Sequence, residues 1–172
     1  SIYRQTTGID YELITVNNGS SDGTREYFDS LPNEKKIHIE NNVGPVNGFN
    51  AGMEAAEGKY IACISNDFIL TPNYMDNLLK CIESDERIGF VSPGASNVSN
   101  YQNIQGDYSN IDEMINFAKG YNISDPSKWE ERVRLLPCIL MVRTDMIRKV
   151  GYYDPRFYFG EFADDDISFR IR

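Results

Sequence analysis

The segment Tyr11-Glu-Leu-Ile-Thr-Val16 runs directly into Asn17-Asn-Gly-Ser-Ser-Asp-Gly23, and this junction gives the first indication of the fold. The first part is apolar and β-branched, which favours a strand. The second part is rich in residues that form turns, and a helix is predicted to begin near Thr24. The segment therefore has the order strand, polar loop, helix.

The same order repeats along the rest of the chain. Residues 60–64 are apolar throughout, as expected of a strand covered on both faces of a parallel sheet. Further strands are predicted at 36–40, 88–92 and 135–142, and helices after Gly44, after the capping pair Thr71-Pro72, at 111–119, from the cap Thr144 to Gly151, and at 164–172. The alternation predicts an α/β fold, a single domain over residues 1–172, with ligand loops at the carboxyl ends of the strands.

Composition and charge exclude several classes of protein. With 41% apolar residues the chain can bury a core, and its formal net charge of -9 argues against binding of nucleic acid through its phosphates. No apolar run approaches the roughly 18 residues of a membrane helix, so no membrane span is expected here. The three cysteines, Cys63, Cys81 and Cys138, lie in apolar segments, which predicts buried thiols in a reducing compartment.

The loop after the first strand is a candidate for ligand binding. Asn17, Asn18, Gly19 and Asp22 could bind a nucleobase there, because carboxamides both donate and accept hydrogen bonds. The alternative is an ordinary polar loop that leads into a helix.

Small residues at the start of the following helix form a second candidate. Gly44, Gly48 and Asn50 would let the phosphates of a ligand approach backbone amides. The alternative is that Gly48 and Gly52, four residues apart, only let the helix pack tightly on the sheet.

Acidic residues form two further candidate sites. Asp67, in Ser65-Asn66-Asp67, is the first charge after the apolar strand and could bind a divalent metal ion together with substrate phosphates. Its alternative is a solvated turn residue. Asp164, the first of three successive acids, could take a proton from an attacking hydroxyl, although acids also stabilise helix N-termini without any catalytic role.

His38 is assigned no role, and Trp129 is expected to anchor local packing rather than to stack on a sugar.

These four segments occur in an order that resembles family 2 of the glycosyltransferases. Residues 12–24 resemble its ELIVVDNGSSDGT stretch, and residues 42–61 resemble its N-x-G-x-x-x-G-x-N-x-G stretch, which ends in A-x-G-x-Y-I. Residues 65–67 stand where the family has its D-x-D motif, and residues 150–170 resemble VGxFDxxFF…EDxDLxxR. The resemblance implies a GT-A fold, inverting transfer from a nucleoside-diphosphate sugar, and a divalent metal (Mg or Mn) under the diphosphate.

Residue by residue, the resemblance implies that Asn18 contacts the nucleobase, that Asp67 binds the metal with Ser65 beside it, and that Asp164 is the catalytic base. Asn66 is assigned to the donor site. The chain departs from the family pattern at the positions of the first loop Asp, the first D-x-D Asp and the Glu before the base, which are here Asn17, Ser65 and Ala163.

We therefore expect a GT-A domain with a mostly parallel central sheet flanked by helices, truncated at both ends and lacking its first strand. The expected donor is a UDP-, dTDP- or GDP-linked sugar, and the expected acceptor is a glycan or a lipid-linked glycan in bacterial cell-surface polysaccharide synthesis. The expected location is the cytoplasm, or the inner face of the membrane. The alternative function, suggested by Ser65, is a non-catalytic module that binds nucleotide sugars.

Overall fold

The fold alternates helices and strands in the order expected for an α/β domain. The computed structural model describes residues 1–32, 34–96, 98, 101–136 and 139–172. Its helices are α1 (Ile2–Gln5), α2 (Thr24–Ser30), α3 (Gly44–Ala55), α4 (Tyr74–Glu83), α5 (Ile111–Tyr121), α6 (Thr144–Val150) and α7 (Ala163–Ile171), with a 3-10 turn at Pro126–Lys128. Its strands are β1 (Ile14–Asn18), β2 (Lys35–Ile39), β3 (Tyr60–Ile64), β4 (Phe90–Val91) and β5 (Ile139–Arg143).

Strand pairing is both parallel and antiparallel. Strands β1 and β2 pair in parallel, with Ile14 opposite Lys35. Strand β5 lies between β3 and β4 and is antiparallel to both. The expectation that residues 60–64 lie in a parallel sheet is therefore wrong. The chain passes through α4 and the long polar segment 93–134 before it returns as β5, so no single crossover helix constrains its direction.

Strand β5 separates two hydrophobic clusters and is the centre of the core. Leu140 and Val142 pack in one cluster with α3, α6 and α7, whereas Ile139 and Met141 pack in the other with α4. Alternate side chains of a strand point to opposite faces, which explains this division. Because both faces are covered, the four residues 139–142 are buried.

Several element boundaries differ from those predicted. Strand β1 begins at Ile14 rather than Tyr11 and extends through Asn18, so the two asparagines belong to the strand end. Strand β4 covers only two residues of the predicted 88–92, and β5 begins later than predicted, next to Pro137 and Cys138, which lie outside the described residues. The helix predicted at 111–119 is confirmed as α5, and the helix end at Gly151 is confirmed by its left-handed φ of 92°.

Both predicted threonine caps are wrong. Helix α4 begins at Tyr74, after Asn73 with a φ of 65°, and the Thr71 hydroxyl instead accepts a hydrogen bond from Asn122 Nδ2 at 2.8 Å. Thr144 is the first residue of α6, and its hydroxyl donates to the Gly58 carbonyl at 2.5 Å. In both places the threonine hydroxyl bonds to a residue far away in the sequence and not to an amide in the first turn of the helix.

Candidate active site

The polar loop after β1 lies against the loop after β2. Asn17 is buried, and its Oδ1 accepts a hydrogen bond from the Ser20 amide at 2.9 Å, which shapes the turn. Gly19 has a φ of +73°, and a Cβ at this position would overlap the backbone nitrogen of Asn42. A glycine is needed here both for its backbone conformation and for the close approach of the two loops.

The Asn18 side chain joins these two loops. Its Oδ1 accepts from the Val43 amide at 3.0 Å, and its Nδ2 donates to the Gly44 carbonyl at 3.0 Å and to Asn42 Oδ1 at 3.3 Å. Asn42 Oδ1 also accepts from the Gly44 amide at 2.8 Å. Side chains of the protein thus already satisfy the amides of Val43 and Gly44 at the start of α3. Contact of Asn18 with a nucleobase stays a prediction, and it would require some of these bonds to be exchanged.

The glycines of α3 make close contacts with protein. A Cβ at Gly48 would lie 3.3 Å from Asn18 Nδ2, and one at Gly52 would lie 3.2 Å from Val16 Cγ2, so both residues let the helix pack closely on β1. Gly44 has a φ of +82°, and a Cβ there would overlap the carbonyl oxygen of Tyr158. The role predicted for Gly44 and Gly48 in donor binding remains a prediction, while their packing role is visible.

The segment Tyr152–Gly160, here called the aromatic loop, covers the start of α3. The Tyr158 hydroxyl donates to the Asn42 carbonyl at 3.2 Å. Asn50 binds the same loop twice, because its Nδ2 donates to the Tyr153 carbonyl at 2.8 Å and its Oδ1 accepts from the Tyr153 amide at 3.0 Å. Asn50 therefore clamps the loop that leads into α7.

The Tyr153 ring connects this clamp to the acids of α7. Burial raises the pKa of the Tyr153 hydroxyl well above its usual value, and the nearby Asp164 carboxylate raises it further. Cys63, on β3, packs against the cluster that contains Tyr153 and Ala163. The end of β3 and the start of α7 are thus brought to the same part of the core.

Helix α7 begins with three acids in its first turn, Asp164, Asp165 and Asp166. Phe162 precedes them with a φ of 64°, and the buried Ala163 and Ile167 hold the helix on the core.

Among the described residues, the partners of these three acids are two arginines. Asp164 is 14% exposed at its side chain, and its Oδ2 lies 3.2 Å from Arg134 Nη2. Arg134 Nε lies 2.7 Å from Asp165 Oδ1, whereas Asp166 pairs with Arg170 at 2.7 Å. Asp164 and Asp165 therefore share one arginine.

The segment Ser65–Asp67 forms an exposed turn at the end of β3. The Phe68 amide donates to the Ser65 carbonyl at 3.3 Å, and Asn66 and Asp67 are exposed. Within the described ranges, Asp67 makes no hydrogen bond or ion pair, and no group of three or more His, Cys, Asp or Glu residues could hold a metal ion. A free carboxylate beside a serine hydroxyl suits Mg²⁺ or Mn²⁺ bound mainly by substrate phosphates and water.

A cavity of 1550 Å³ opens beside Asp67. Its lining residues come from α4, from α5 and from the described parts of the polar segments on either side of α5, and they include the rings of Tyr101, Tyr121 and Trp129. The cavity is larger than the roughly 300–1,000 Å³ of a usual small-molecule pocket, and its lining is both polar and aromatic.

Comparison with known proteins shows the family of this chain. A model of glycosyl transferase family 2 matches residues 1–149. This chain belongs to glycosyl transferase family 2. An uncharacterized glycosyltransferase of Haemophilus influenzae is 30% identical over 81 residues, which are 45% of this chain and 25% of that protein. The poly-beta-1,6-N-acetyl-D-glucosamine synthase of Staphylococcus epidermidis is 28% identical over 104 residues, 59% of this chain and 25% of that protein. The matches thus span about a quarter of the length of these relatives.

Solved structures of glycosyltransferases resemble this family 2 chain over nearly its whole length. GalNAc-T7, solved with UDP, GalNAc and Mn²⁺, has a TM-score of 0.71 at 14% identity, over 99% of this chain and 36% of that one. The mannosyltransferase PcManGT of Pyrobaculum calidifontis, in complex with GDP-Man and Mn²⁺, has a TM-score of 0.62 at 16% identity, over 97% of this chain and 44% of that one. These similarities confirm the predicted GT-A fold. No helix among the described residues of the family 2 chain is long and apolar enough to cross a membrane.

Other ionisable groups of this family 2 domain have local roles. The Thr24 hydroxyl and amide donate to Asp22, at 2.6 and 3.2 Å from its Oδ1, and lower the pKa of that exposed carboxyl. Burial raises the pKa of the Cys63 thiol to about 12 and also raises that of Cys81. His38 Nε2 contacts Asp29 Oδ1 at 3.0 Å. Both described cysteines are free thiols, whereas Cys138 lies outside the described residues.

Sequence reasoning missed three residues that contact the candidate site. Arg134 contacts Asp164, Tyr153 contacts Asn50, and Tyr158 contacts Asn42. The aromatic run 152–159 was visible in the sequence, but nothing local connected it to α3. Arg134 stands in a polar segment thirty positions before its partner Asp164, with no motif around it. A cluster of carboxylates in the sequence indicates that a cation lies nearby. It does not indicate which arginine supplies that cation.

Proposed function

We propose that this chain is the donor-binding and catalytic domain of an inverting glycosyltransferase. It transfers a sugar from a UDP-, dTDP- or GDP-linked donor to a hydroxyl of a glycan or lipid-linked acceptor. The observation that carries the proposal is the state of Asp164, a nearly covered carboxylate with one oxygen held by Arg134. Its second oxygen has no partner among the described residues, so a hydroxyl can approach it.

The loops after β1 and β2 are the proposed donor site. They meet at Asn18, and the aromatic loop closes the same edge over Gly44. In a doubly wound sheet, ligands bind at the carboxyl ends of the strands, where these loops lie. The proposed donor-binding residues are Asn17, Asn18, Gly19, Asp22, Gly44, Gly48, Asn50 and Asn66. Among them, Asn18 has the side chain most fully used by the protein itself, and Asn50 is used in two further hydrogen bonds.

Asp67, with Ser65 beside it, would hold the divalent ion. When bound, the ion supplies positive charge for the diphosphate, which this acidic chain of net charge -9 otherwise repels. The Mn²⁺ in the two similar solved structures supports the use of a divalent ion by this chain.

Asp164 acts as the general base. The acceptor hydroxyl gives its proton to Asp164 as its oxygen attacks the anomeric carbon of the donor. The new carbon–oxygen bond forms as the bond to the diphosphate oxygen breaks, and the diphosphate leaves with the electron pair. One in-line displacement inverts the anomeric configuration.

The cavity beside Asp67 is the proposed acceptor site. Tyr101, which has Arg132 over one side of its ring, lines this cavity and offers its other face to a sugar ring. Trp129, which was expected to anchor local packing, also lines the cavity and is a second candidate for stacking. The similarity to a poly-beta-1,6-N-acetyl-D-glucosamine synthase supports a role in cell-surface polysaccharide synthesis. The free thiols Cys63 and Cys81 support a reducing compartment, the cytoplasm or the inner face of the membrane.

A non-catalytic module that binds nucleotide sugars is the second candidate, and Ser65 favours it. A serine at this position removes one carboxylate from the family's metal motif, which weakens the site for the ion that assists the leaving group. Donor binding without turnover would distinguish this candidate from the transferase.

The test is release of nucleoside diphosphate from a panel of UDP-, dTDP- and GDP-sugars with Mn²⁺, by wild-type protein and by Asp164→Asn. We expect the variant to lose at least about 10²-fold in turnover while its affinity for the donor, measured by calorimetry, stays within about twofold. Asp112→Asn, at the exposed first turn of α5, is the matched control and should behave as wild type. Substantial turnover by Asp164→Asn would remove Asp164 as the base.

A further inference from the structure

Arg134 holds two neighbouring carboxylates at once. Its Nη2 lies 3.2 Å from Asp164 Oδ2, and its Nε lies 2.7 Å from Asp165 Oδ1. The guanidinium is planar and rigid, so a contact at one side chain fixes its position at the other. The Arg134 side chain is 52% exposed, whereas Asp164 is 14% exposed. The cation therefore lies on the solvent side of the acid.

The other arginines near this cluster are used elsewhere. Arg170 pairs with Asp166 and also donates to the carbonyls of Val150 at 2.8 Å and Tyr152 at 2.5 Å, which ties it to the end of α6. Arg132, two residues before Arg134, pairs with Glu130. Among the described residues, Arg134 is thus the cation that contacts Asp164.

Two adjacent carboxylates at the start of one helix repel each other. A cation shared between the Asp164 and Asp165 carboxylates reduces this repulsion. A general base must be ionised and must also point at the proton that it takes. Because Arg134 binds Oδ2 of Asp164, it leaves Oδ1 for the acceptor hydroxyl and limits rotation of the carboxylate.

The segment that carries Arg134 is itself fixed on α7 and on the cavity wall. The Leu135 amide lies 3.4 Å from Ser168 Oγ, and the Leu136 amide donates to Gln102 Oε1 at 2.7 Å. Gln102, Leu135 and Ser168 all line the cavity proposed for the acceptor. The position of Arg134 thus depends on the same segment as the wall of that cavity.

We propose that Arg134 is a positioning residue that orients the Asp164 carboxylate toward the acceptor hydroxyl, with Asp165 as its second anchor. This inference rests on the proposed function. It assigns to Arg134 an effect on the rate of transfer rather than on donor binding, because the contacts of Arg134 are with the base and not with the loops of the proposed donor site.

The test compares Arg134→Ala, Arg134→Lys and Asp165→Asn by donor hydrolysis, in which water replaces the acceptor and the acceptor need not be known. For Arg134→Ala we expect kcat to fall about 10- to 100-fold, with the donor KM within about twofold of wild type. Lysine restores the charge but not the two-pronged contact, so Arg134→Lys should recover part of the lost rate. Asp165→Asn removes the charge of the second anchor and leaves only a weaker neutral acceptor for Arg134 Nε, so it should also lower kcat at constant KM.

Arg4→Ala is the control, since it removes an exposed arginine of α1 that lies outside the proposed donor, metal and acceptor sites. It should leave kcat and KM as in wild type. The melting temperature of Arg134→Ala should also stay close to that of wild type, because a half-exposed ion pair contributes little to stability.

The inference is overturned if Arg134→Ala keeps its kcat, or if its kcat and melting temperature fall together without recovery by lysine. Loss of turnover in Asp164→Asn but not in Arg134→Ala would reject this inference and leave the proposed function intact. A wild-type protein that binds donor without turnover would reject both.

Discussion

Replacement of Asn50 by alanine separates a structural role of this residue from a role in donor binding. Asn50 makes hydrogen bonds of 2.8 and 3.0 Å to the carbonyl and the amide of Tyr153, and Tyr153 is buried. The variant leaves both backbone groups without a partner in a place that water reaches poorly. Each unsatisfied buried group costs about 1–3 kcal/mol, so we expect a loss of about 3 kcal/mol in the free energy of unfolding.

The assay is urea unfolding followed by far-ultraviolet circular dichroism, together with thermal unfolding. For a domain of this size, a loss of about 3 kcal/mol corresponds to a fall of roughly 6–12 °C in melting temperature. Asn47→Ala is the matched control on the same helix, because it removes a single bond, from Asn47 Nδ2 to the Val43 carbonyl at 2.8 Å. We expect this control to cost about 1 kcal/mol.

A second variant, Asn50→Asp, tests the direction of the two bonds. It keeps an acceptor for the Tyr153 amide but sets a carboxylate oxygen against the Tyr153 carbonyl, so it should be at least as destabilising as alanine. The reasoning is refuted if Asn50→Ala unfolds at the same urea concentration as wild type but loses affinity for nucleoside-diphosphate sugars. That result would make Asn50 a ligand of the donor and not a clamp.

Three further predictions concern glycine geometry, thiol reactivity and metal affinity. Gly44→Ala should be less stable than Gly151→Ala by about 1–3 kcal/mol in urea unfolding. Both glycines have a positive φ, but only Gly44 has a backbone atom where the new Cβ would lie. Equal losses of unfolding free energy in the two variants would contradict this prediction. In a Cys138→Ser variant, iodoacetamide at pH 8 should label Cys81 before Cys63. A pKa of about 12 leaves roughly one Cys63 thiol in 10⁴ ionised at this pH. Faster labelling of Cys63 would show that its thiol is not buried. Ser65→Asp should tighten Mn²⁺ binding about tenfold in calorimetry by adding a carboxylate, and an unchanged affinity would mean that Ser65 does not face the ion.

The order of the elements could be predicted because it is encoded locally. The apolar run before Asn17 and the turn residues after it specify a strand and a loop without help from the rest of the chain. The same holds for the helix at 111–121 and for the helix end at Gly151. The capping pair Thr71-Pro72 failed because the hydroxyl of Thr71 found a partner in Asn122, fifty-one positions away. A local rule could not anticipate that competitor.

In the candidate site, too, the residue types could be predicted from the sequence, whereas their contacts could not. The residue types in the loops after β1 and β3 and at the start of α7 indicated donor binding, a metal ion and a base from their order alone. The use of the Asn18 and Asn50 carboxamides within the protein was not visible, because a carboxamide donates and accepts equally well toward a ligand or toward backbone. The cation that contacts Asp164 was also hidden, since any of several arginines could have satisfied the charge.

The sequence alone determined the family, the succession of strands and helices, and the chemical types of the residues in the site, because these depend on neighbours along the chain. The tertiary structure alone decided that β5 lies antiparallel between β3 and β4, that Asn50 clamps the aromatic loop, and that Arg134 reaches Asp164. These are contacts between residues far apart in sequence. A strand edge, an amide or a carboxylate binds the group that the packed core brings within about 3 Å of it. That distance is set only when the chain has folded.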